Sequence, residues 1–222
     1  MKGLLSSPQM ICRELSAFET DDLNSVRQSF RDAASCTLRQ AWLTKPETDF
    51  APAIVRTGWR AGSLLVFVEL TDADIFTRAT KPHERLWELG DTFEIFLRPV
   101  EQWSYVEFHI APNNLRLQLR FAGADAVKLT RKTGSLENSL IRDDVFSSRT
   151  WVRPEVGRWF VFAEIPVKSV SENPKLLPGS EWLFSFSRYD YTRGRKEPVI
   201  SSTSPHTKPD FHCQADWGTM RF

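Results

Sequence analysis

Cysteine is scarce in this chain: Cys12, Cys36 and Cys213 are the three in 222 residues. An odd count at such wide spacings builds no disulfide framework and matches no metal-ligand pattern, although one bridge beside a leftover thiol stays open. Long apolar runs are missing as well. No window approaches the roughly 20 residues of a membrane span. The opening MKGLLSSPQMICREL is broken by Ser6, Ser7 and Pro8, so it lacks the sustained apolar run of a secretory leader. The expectation is a cytoplasmic protein. Neither sign of charge dominates: Lys+Arg 29 against Asp+Glu 28 leaves a formal net charge of +1. That gives no general pull toward nucleic acid or an anionic membrane. There is no Gly-rich phosphate loop, no GxSxG elbow and no Cys–His arrangement with local support.

Aromatic rings are plentiful instead, with sixteen Phe and eight Trp against three Tyr. Most belong in an interior, because large apolar rings are what sandwich cores bury. A hydrophobic share of 41% and a charged share of 26% fit a soluble globular chain. The length favours one domain over residues 1–222, with residues 1–35 as an N-terminal extension packed on it.

The chain is organised around LWELGDTFEIFLRPVEQWSYVEFHIAPNNLRLQLRF, residues 86–121, which reads as three strands. Phe93, Ile95 and Leu97 alternate with Thr92, Glu94 and Arg98. Val106, Phe108 and Ile110 alternate with Glu107 and His109. Leu115, Leu117, Leu119 and Phe121 alternate with Arg116, Gln118 and Arg120. Successive strand side chains point to opposite faces, so each segment can bury one face and present the other. Short connectors at 99–104 and at Pro112-Asn113-Asn114 make the strands antiparallel neighbours. The expected product is one polar sheet surface carrying Glu94, Glu107, His109, Gln118 and Arg120, with Trp87 at its rim. Such a surface suits a hydroxyl-rich ligand; an ordinary wet face has the same pattern.

Elsewhere, residues 10–18 suit an edge strand. Residues 21–34 suit a short helix capped by Asp21 or Asp22, with Val26, Phe30 and Ala33 at helical spacing. Residues 55–59 and 64–70 flank the Gly-containing turn RAGS, and the second run is apolar nearly throughout, as a strand buried on both sides would be. Asp72 and Asp74 lack the repeated acidic and glycine positions of a calcium loop, which favours a solvated strand exit. Residues 123–150 read as a polar excursion with little periodicity, and 172–180 as a Pro-and-Gly-rich loop. Further strands are expected at 158–166, at 182–191 and at the closing DWGTMRF. Roughly ten short strands and few helices give the fold class, an all-β, antiparallel β-sandwich, immunoglobulin-like or jelly-roll-like, with at most short helices.

Sugar recognition needs an aromatic face to stack on the ring and polar groups to bond the hydroxyls. Trp87, Trp103, Trp151 and Trp217 sit in or beside expected loops, whereas Trp59 and Trp182 lie inside strands. Unpaired burial of Glu94 or Glu107 would be costly, so each faces solvent, an arginine or a ligand, with Arg120 and Arg188 as natural partners. The same two carboxylates could form the pair, about 5 to 10 Å apart, that glycoside hydrolysis uses. His206, Asp210 and His212 in SPHTKPDFH are a candidate metal trio, although the spacing is no strict zinc signature and a loop stapled by histidine hydrogen bonds is the plainer expectation.

At LWELGDTFEIFLRP followed by YVEFHIAPNN, the sequence resembles the family-nine carbohydrate-binding modules. FAEIP, FSFSRYDY, ISSTSPH, FH and DWGTMRF follow in matching order, so the resemblance covers most of the chain from Trp42 onward. It implies a β-sandwich related to sugar- and haem-binding sandwich domains, with a sugar-chain end held between two tryptophans and charged residues on the hydroxyls. Structural calcium occurs in some members. By position, Trp87 matches the first stacking tryptophan and Glu94 the acidic hydroxyl acceptor, and His109 stands about where a family arginine bonds the sugar. Thr203 falls where the second tryptophan is expected. The expected function is therefore non-catalytic saccharide binding through Trp87, Glu94, His109, Arg120, Arg188 and Thr203. The alternatives are a glycan hydrolase using Glu94 and Glu107, and a former sugar module that contacts a protein partner. Nucleic acid and membrane are not expected partners.

Overall fold

The computed structural model describes residues 6–172 and 179–222; the opening of the leader reading and most of the expected loop at 172–180 lie outside the described residues. Thirteen strands and three α-helices follow in order among the described residues. They are β1 (Gln9–Ile11), β2 (Arg13–Glu14), α1 (Leu23–Ser29), β3 (Ala34–Thr37), β4 (Ala53–Arg60), β5 (Ser63–Thr71) and α2 (Leu86–Leu89). Then come β6 (Thr92–Pro99), β7 (Tyr105–Ile110), β8 (Arg116–Phe121), α3 (Ala124–Thr133), β9 (Ser147–Arg153), β10 (Arg158–Pro166), β11 (Glu181–Asp190), β12 (Val199–Ser202) and β13 (Gly218–Arg221).

Two sheets form a sandwich. The first runs β1-β13-β11-β6-β7-β8, with β12 also on β11; the second runs β2-β4-β5-β10-β9, with β3 also on β4. Most neighbours are antiparallel, but β1 pairs with β13 and β2 with β4 in parallel. Residues 9–14 thus lend an edge strand to each sheet. Between the sheets lies the main core, where Phe93, Ile95, Leu97, Val106, Phe108 and Ile110 meet Val55, Val66, Val68 and Val161. This is the inward face that alternation in 92–110 foretold. The second sheet also buries part of its outer face: α1, capped by Asp22 accepting from Asn24 and Ser25 N–H groups, sets Val26 on Phe67 and Phe160.

The outer face of the first sheet departs from expectation. It carries a second apolar cluster of Phe96, Tyr105, Leu117, Leu119, Phe121, Val127, Phe211 and Trp217. The cover comes from α3 and from the loop between β12 and β13. Residues 123–150 are therefore not merely a polar excursion. Helix α3 ends in a left-handed Gly134 whose N–H bonds back to Thr130 O.

Register then decides which side chains share this face. His109 pairs with Leu117 and Glu107 with Leu119, and directly opposed residues of an antiparallel pair point the same way. Gln118 and Arg120 consequently face away from Glu107 and His109. Gln118 donates to Asp143 O (3.1 Å) and accepts from Val145 N (3.0 Å). Arg120 donates to Ser169 O (2.7 Å). Because the sheet is covered on both sides, the apolar residues of β8 serve the outer cluster and its polar ones tie down backbone at the sandwich edge.

Candidate functional site

The outer face holds a recess, a cavity of about 350 Å³ bordered by Trp87, Glu94, Glu107, His109, Phe211 and His212, with Arg85, Arg131 and Tyr189 beside them. Trp87 reaches it from α2, a single helical turn closed by Gly90. That glycine has φ +151°, and a Cβ there would meet Phe76 O and Thr77 Cα at 2.6 Å, so the turn after the tryptophan needs glycine. Tyr191 Oη donates to Trp87 O at 2.6 Å and fixes the turn from the opposite side.

Neighbouring strands β6 and β7 supply the floor. His109 and Glu94 are directly opposed, and His109 Nδ1 lies 3.1 Å from Glu94 Oε1. On the other ring edge, His109 Nε2 is hydrogen-bonded to Glu107 Oε2 at 3.2 Å. Glu107 Oε1 in turn lies 3.0 Å from His212 Nδ1, which is hydrogen-bonded to Tyr105 Oη at 2.8 Å. All of Glu94, Glu107 and His109 are buried. The chain of contacts is Glu94–His109–Glu107–His212–Tyr105, alternating acid and base.

Burial raises Glu94 to about 7, against the pull of His109, and Glu107 adds to the rise. Burial raises Glu107 too, but His212 and His109 together outweigh it and hold that carboxyl at about 2. Burial lowers His109, yet Glu94 and Glu107 overcome it and keep the imidazole above its ordinary range. One imidazolium between two carboxylates is the arrangement that keeps these groups tolerable inside the protein. Even so, His109 Nδ1 and Glu107 Oε1 have no aligned hydrogen bond among the described residues. Their ionic contacts are close but off-line.

Aromatic surface surrounds this polar floor. The Trp87 ring stands 5.3 Å from His109, inclined by 55°. Phe211 is flanked by Tyr189 at 5.9 Å and Phe96 at 6.4 Å, and its carbonyl accepts from Trp217 Nε1 at 2.9 Å. Arg85 stands 5.9 Å from the Trp87 ring and is paired with Glu88. Arg131 is paired with Asp210 at 2.7 Å.

Of the residues expected to bond a sugar, Trp87, Glu94 and His109 are brought together here. Three are not. Arg120 lies on the far side of β8, as described. Arg188 is buried elsewhere, donating to Thr71 O (2.7 Å) and Asp72 Oδ2 (2.9 Å) with Asp190 at 3.1 Å. It opposes Phe93 rather than Glu94, so it points to the inner side. Thr203 extends the β11–β12 pairing: its N–H donates to Phe186 O and its hydroxyl accepts from Phe186 N. Asp72, expected at a solvated strand exit, is buried with Arg188. Asp72, Asp91 and Asp190 do converge, but calcium does not fit there, because the Arg188 guanidinium already stands among these carboxylates as their cation. Burial, with the Asp72 charge beside it, pushes Asp91 up to about 8.

Sequence reasoning missed Phe211 as the second aromatic wall and gave His212 a metal role in place of a floor position beside Glu107; the FH dipeptide of the family resemblance was the signal for Phe211. Trp151 and Trp217 do not take that part, the first lying outside the second sheet and the second buried beneath Phe211.

No protein-family model matches the chain, and no curated protein matches it. Solved structures do. A protein of Bacteroides uniformis, provisionally named carbohydrate-binding, aligns with TM-score 0.75 at 17% identity over 98% of this chain and 100% of that one. A family-nine carbohydrate-binding module of Caldicellulosiruptor kristjanssonii in complex with glucose aligns with TM-score 0.65 at 13% identity, over 96% and 95%. The chain has the family-nine carbohydrate-binding-module fold. A module of that family from the same organism in complex with cellotriose aligns at TM-score 0.62 and 15% identity, over 96% of this chain and 93% of that one. In this version of the family-nine fold, a phenylalanine-bearing loop stands across the recess from the α2 tryptophan.

Proposed function

We propose that the protein binds a saccharide without transforming it, taking one sugar ring or the end of a short chain into the recess beside Trp87. One observation carries the reading. The ionic row of Glu94, His109 and Glu107 lies at the base of a cavity walled by Trp87 and Phe211. Sugar hydroxyls entering the recess would bond the charged groups of its lining, Glu94 and His212 among them. Charge-assisted bonds of this kind are about twice as strong as neutral ones. The Trp87 indole offers an apolar face to the ring C–H surface, and a cavity of about 350 Å³ limits the occupant to a small ligand or a chain end. Sugar-bound neighbours of the same fold support the ligand class.

A second reading is glycan hydrolysis by the Glu94–Glu107 pair, favoured by the opposite displacement of the two carboxyls, one to about 7 and one to about 2. Such splitting is how acid and base are told apart in catalytic pairs. Both carboxylates, however, contact His109, one on each ring nitrogen, which favours a fixed binding floor over a free acid and base.

Calorimetry and tryptophan fluorescence against a panel of mono- and oligosaccharides, glucose and cellotriose included, test the proposal. Saturable binding with the ligand recovered intact supports it. Turnover that vanishes in both Glu94→Gln and Glu107→Gln would transfer the assignment to the hydrolase. Absence of binding across the panel would refute the saccharide reading and direct the search to a protein partner.

A further inference from the structure

The loop between β12 and β13 contains a second cluster, outside the recess. Its sequence, HTKPDFHCQAD, begins with His206 and ends with Asp216. The sequence offers His206, Asp210 and His212 as a candidate metal trio. The fold separates that trio: Asp210 pairs with Arg131 and His212 with Glu107. It gathers His206, Cys213 and Asp216 instead, with one ligand atom from each lying within 4.8 Å of the others.

Local geometry accounts for the convergence. Cys213 caps a 3-10 turn, Gln214–Asp216, and Asp216 closes it with its N–H on Cys213 O at 3.1 Å. In a 3-10 turn, positions i and i+3 eclipse, so the thiol and the carboxylate stand on one side. His206 meets them from upstream, its Nδ1 3.0 Å from Asp216 Oδ2. The imidazole is buried and its Nε2 has no hydrogen-bond partner among the described residues. Asp216 and Cys213 are partly exposed, which leaves a route in and room for a water.

We propose that His206, Cys213 and Asp216 form a binding site for a soft divalent cation, zinc being the metal whose chemistry fits. One thiolate, one imidazole and one carboxylate are all standard zinc donors, with bonds of about 2.0–2.3 Å. A tetrahedral ion with such bonds holds its ligand atoms about 3.3–3.8 Å apart, so His206 and Asp216 would part slightly from 3.0 Å and the Cys213 thiol, within 4.8 Å of both, would move in. Calcium and magnesium prefer all-oxygen shells, which this trio does not offer. Binding releases the thiol proton and any proton held between His206 and Asp216.

The site has a structural consequence. His206 stands 6.0 Å from the Phe211 ring, and Trp217, next to Asp216, bonds the Phe211 carbonyl. A cation joining residue 206 to residues 213 and 216 therefore staples the loop that carries Phe211 and His212. This inference does not depend on the saccharide reading, since metal binding is measured without sugar.

The test is a cobalt(II) titration of the full, chelator-stripped chain under reducing conditions. Tetrahedral d–d bands and a near-ultraviolet thiolate-to-cobalt band should saturate at one equivalent, and zinc should displace both. Cys213→Ser should abolish the thiolate band, and Asp216→Asn should weaken affinity by at least the 10- to 100-fold that loss of an outer-shell partner costs. Cys12 is buried and Cys36 half-buried, and neither belongs to the cluster, so a band that depends on Cys213 is told apart from theirs by Cys213→Ser. A wild-type chain without the thiolate band overturns the proposal, as does a band that survives in folded Cys213→Ser. Should that variant fail to fold, the wild-type spectrum and Asp216→Asn decide: unchanged affinity in Asp216→Asn overturns it.

Discussion

The indole of Trp87 rests 5.3 Å from the imidazole of His109, the two planes inclined by 55°. One residue comes from a helical turn ahead of β6 and the other from the end of β7, so the recess wall and its floor are set by different elements. Because the indole rests against a ring that is itself fixed by two carboxylates, its position is set by the fold. Trp87→Ala should therefore lose saccharide affinity by at least the ~10-fold that about 1.5 kcal/mol of aromatic contact represents, with an unchanged circular dichroism spectrum. Calorimetry on the folded variant makes the check; retained affinity would remove Trp87 from the site.

Phe211 should behave similarly but with a stability cost. It is buried and packed on Phe96 and Tyr189, so Phe211→Ala should lower unfolding free energy by about 3–5 kcal/mol and weaken binding. Phe211→Leu should restore much of the stability and less of the binding. Urea titration and calorimetry on the three proteins would separate the two effects.

The pH dependence of stability follows from the floor. Glu94 ionises near 4.5 ordinarily and near 7 when folded, so between those values the folded chain holds more protons and this group's contribution falls as pH rises. His109, raised by its carboxylates, contributes fully below its ordinary 6.5 and loses that contribution as pH climbs through its folded value. Glu107, held at about 2, acts in the opposite sense: its contribution is present above 4.5 and is lost as pH falls toward 2. Glu94→Gln removes the first term and weakens the second, so urea midpoints between pH 5 and 7.5 should decline less steeply than in wild type. The limit is about 1.4 kcal/mol per pH unit for each proton. Parallel curves would mean that Glu94 does not hold the proton.

Arg188 separates folding from binding. Its guanidinium neutralises Asp72 and Asp190 in the interior, and removing one member of a buried ionic group costs about 3–5 kcal/mol. Arg188→Met should show that loss in thermal or urea unfolding while the folded fraction binds saccharide with wild-type affinity. Reduced affinity in folded Arg188→Met would restore the hydroxyl-bonding role expected from the sequence.

Arg120 gives the milder counterpart. It bonds Ser169 O from the far face of β8, so Arg120→Ala should leave saccharide affinity within twofold. A calorimetric titration is sufficient, and a tenfold loss would mean that the face assignment of β8 is wrong.

Strand alternation in 92–110 was sufficient to place Phe93, Ile95, Leu97, Val106, Phe108 and Ile110 inside and Glu94, Glu107 and His109 outside, because a period of two maps directly onto two faces. The resemblance to family-nine modules implies one place for Trp87, Glu94 and His109, and the fold brings them together there. What misled was β8. Its alternation is as clear as that of β6, yet it leads the wrong way when both faces of the sheet are covered: the rule that apolar residues face the core does not say which core. Arg188 misled for a related reason, since a buried arginine with its own carboxylates has the same sequence signature as one awaiting a ligand.

Local chemistry alone thus determined the central strands, their order in the meander and the helix after Asp22, all of which depend on neighbours in the chain. Tertiary structure decided the rest. The loop that brings Phe211 and His212 over the sheet starts about a hundred residues downstream of the strands it covers, and α3 turns an apparent solvent face into a second interior. Pairing of His109 with both glutamates, of Arg188 with Asp72, and of His206 with Cys213 and Asp216 arises only when separate segments are held against one another. Periodicity records which way a side chain points; packing alone records what it meets.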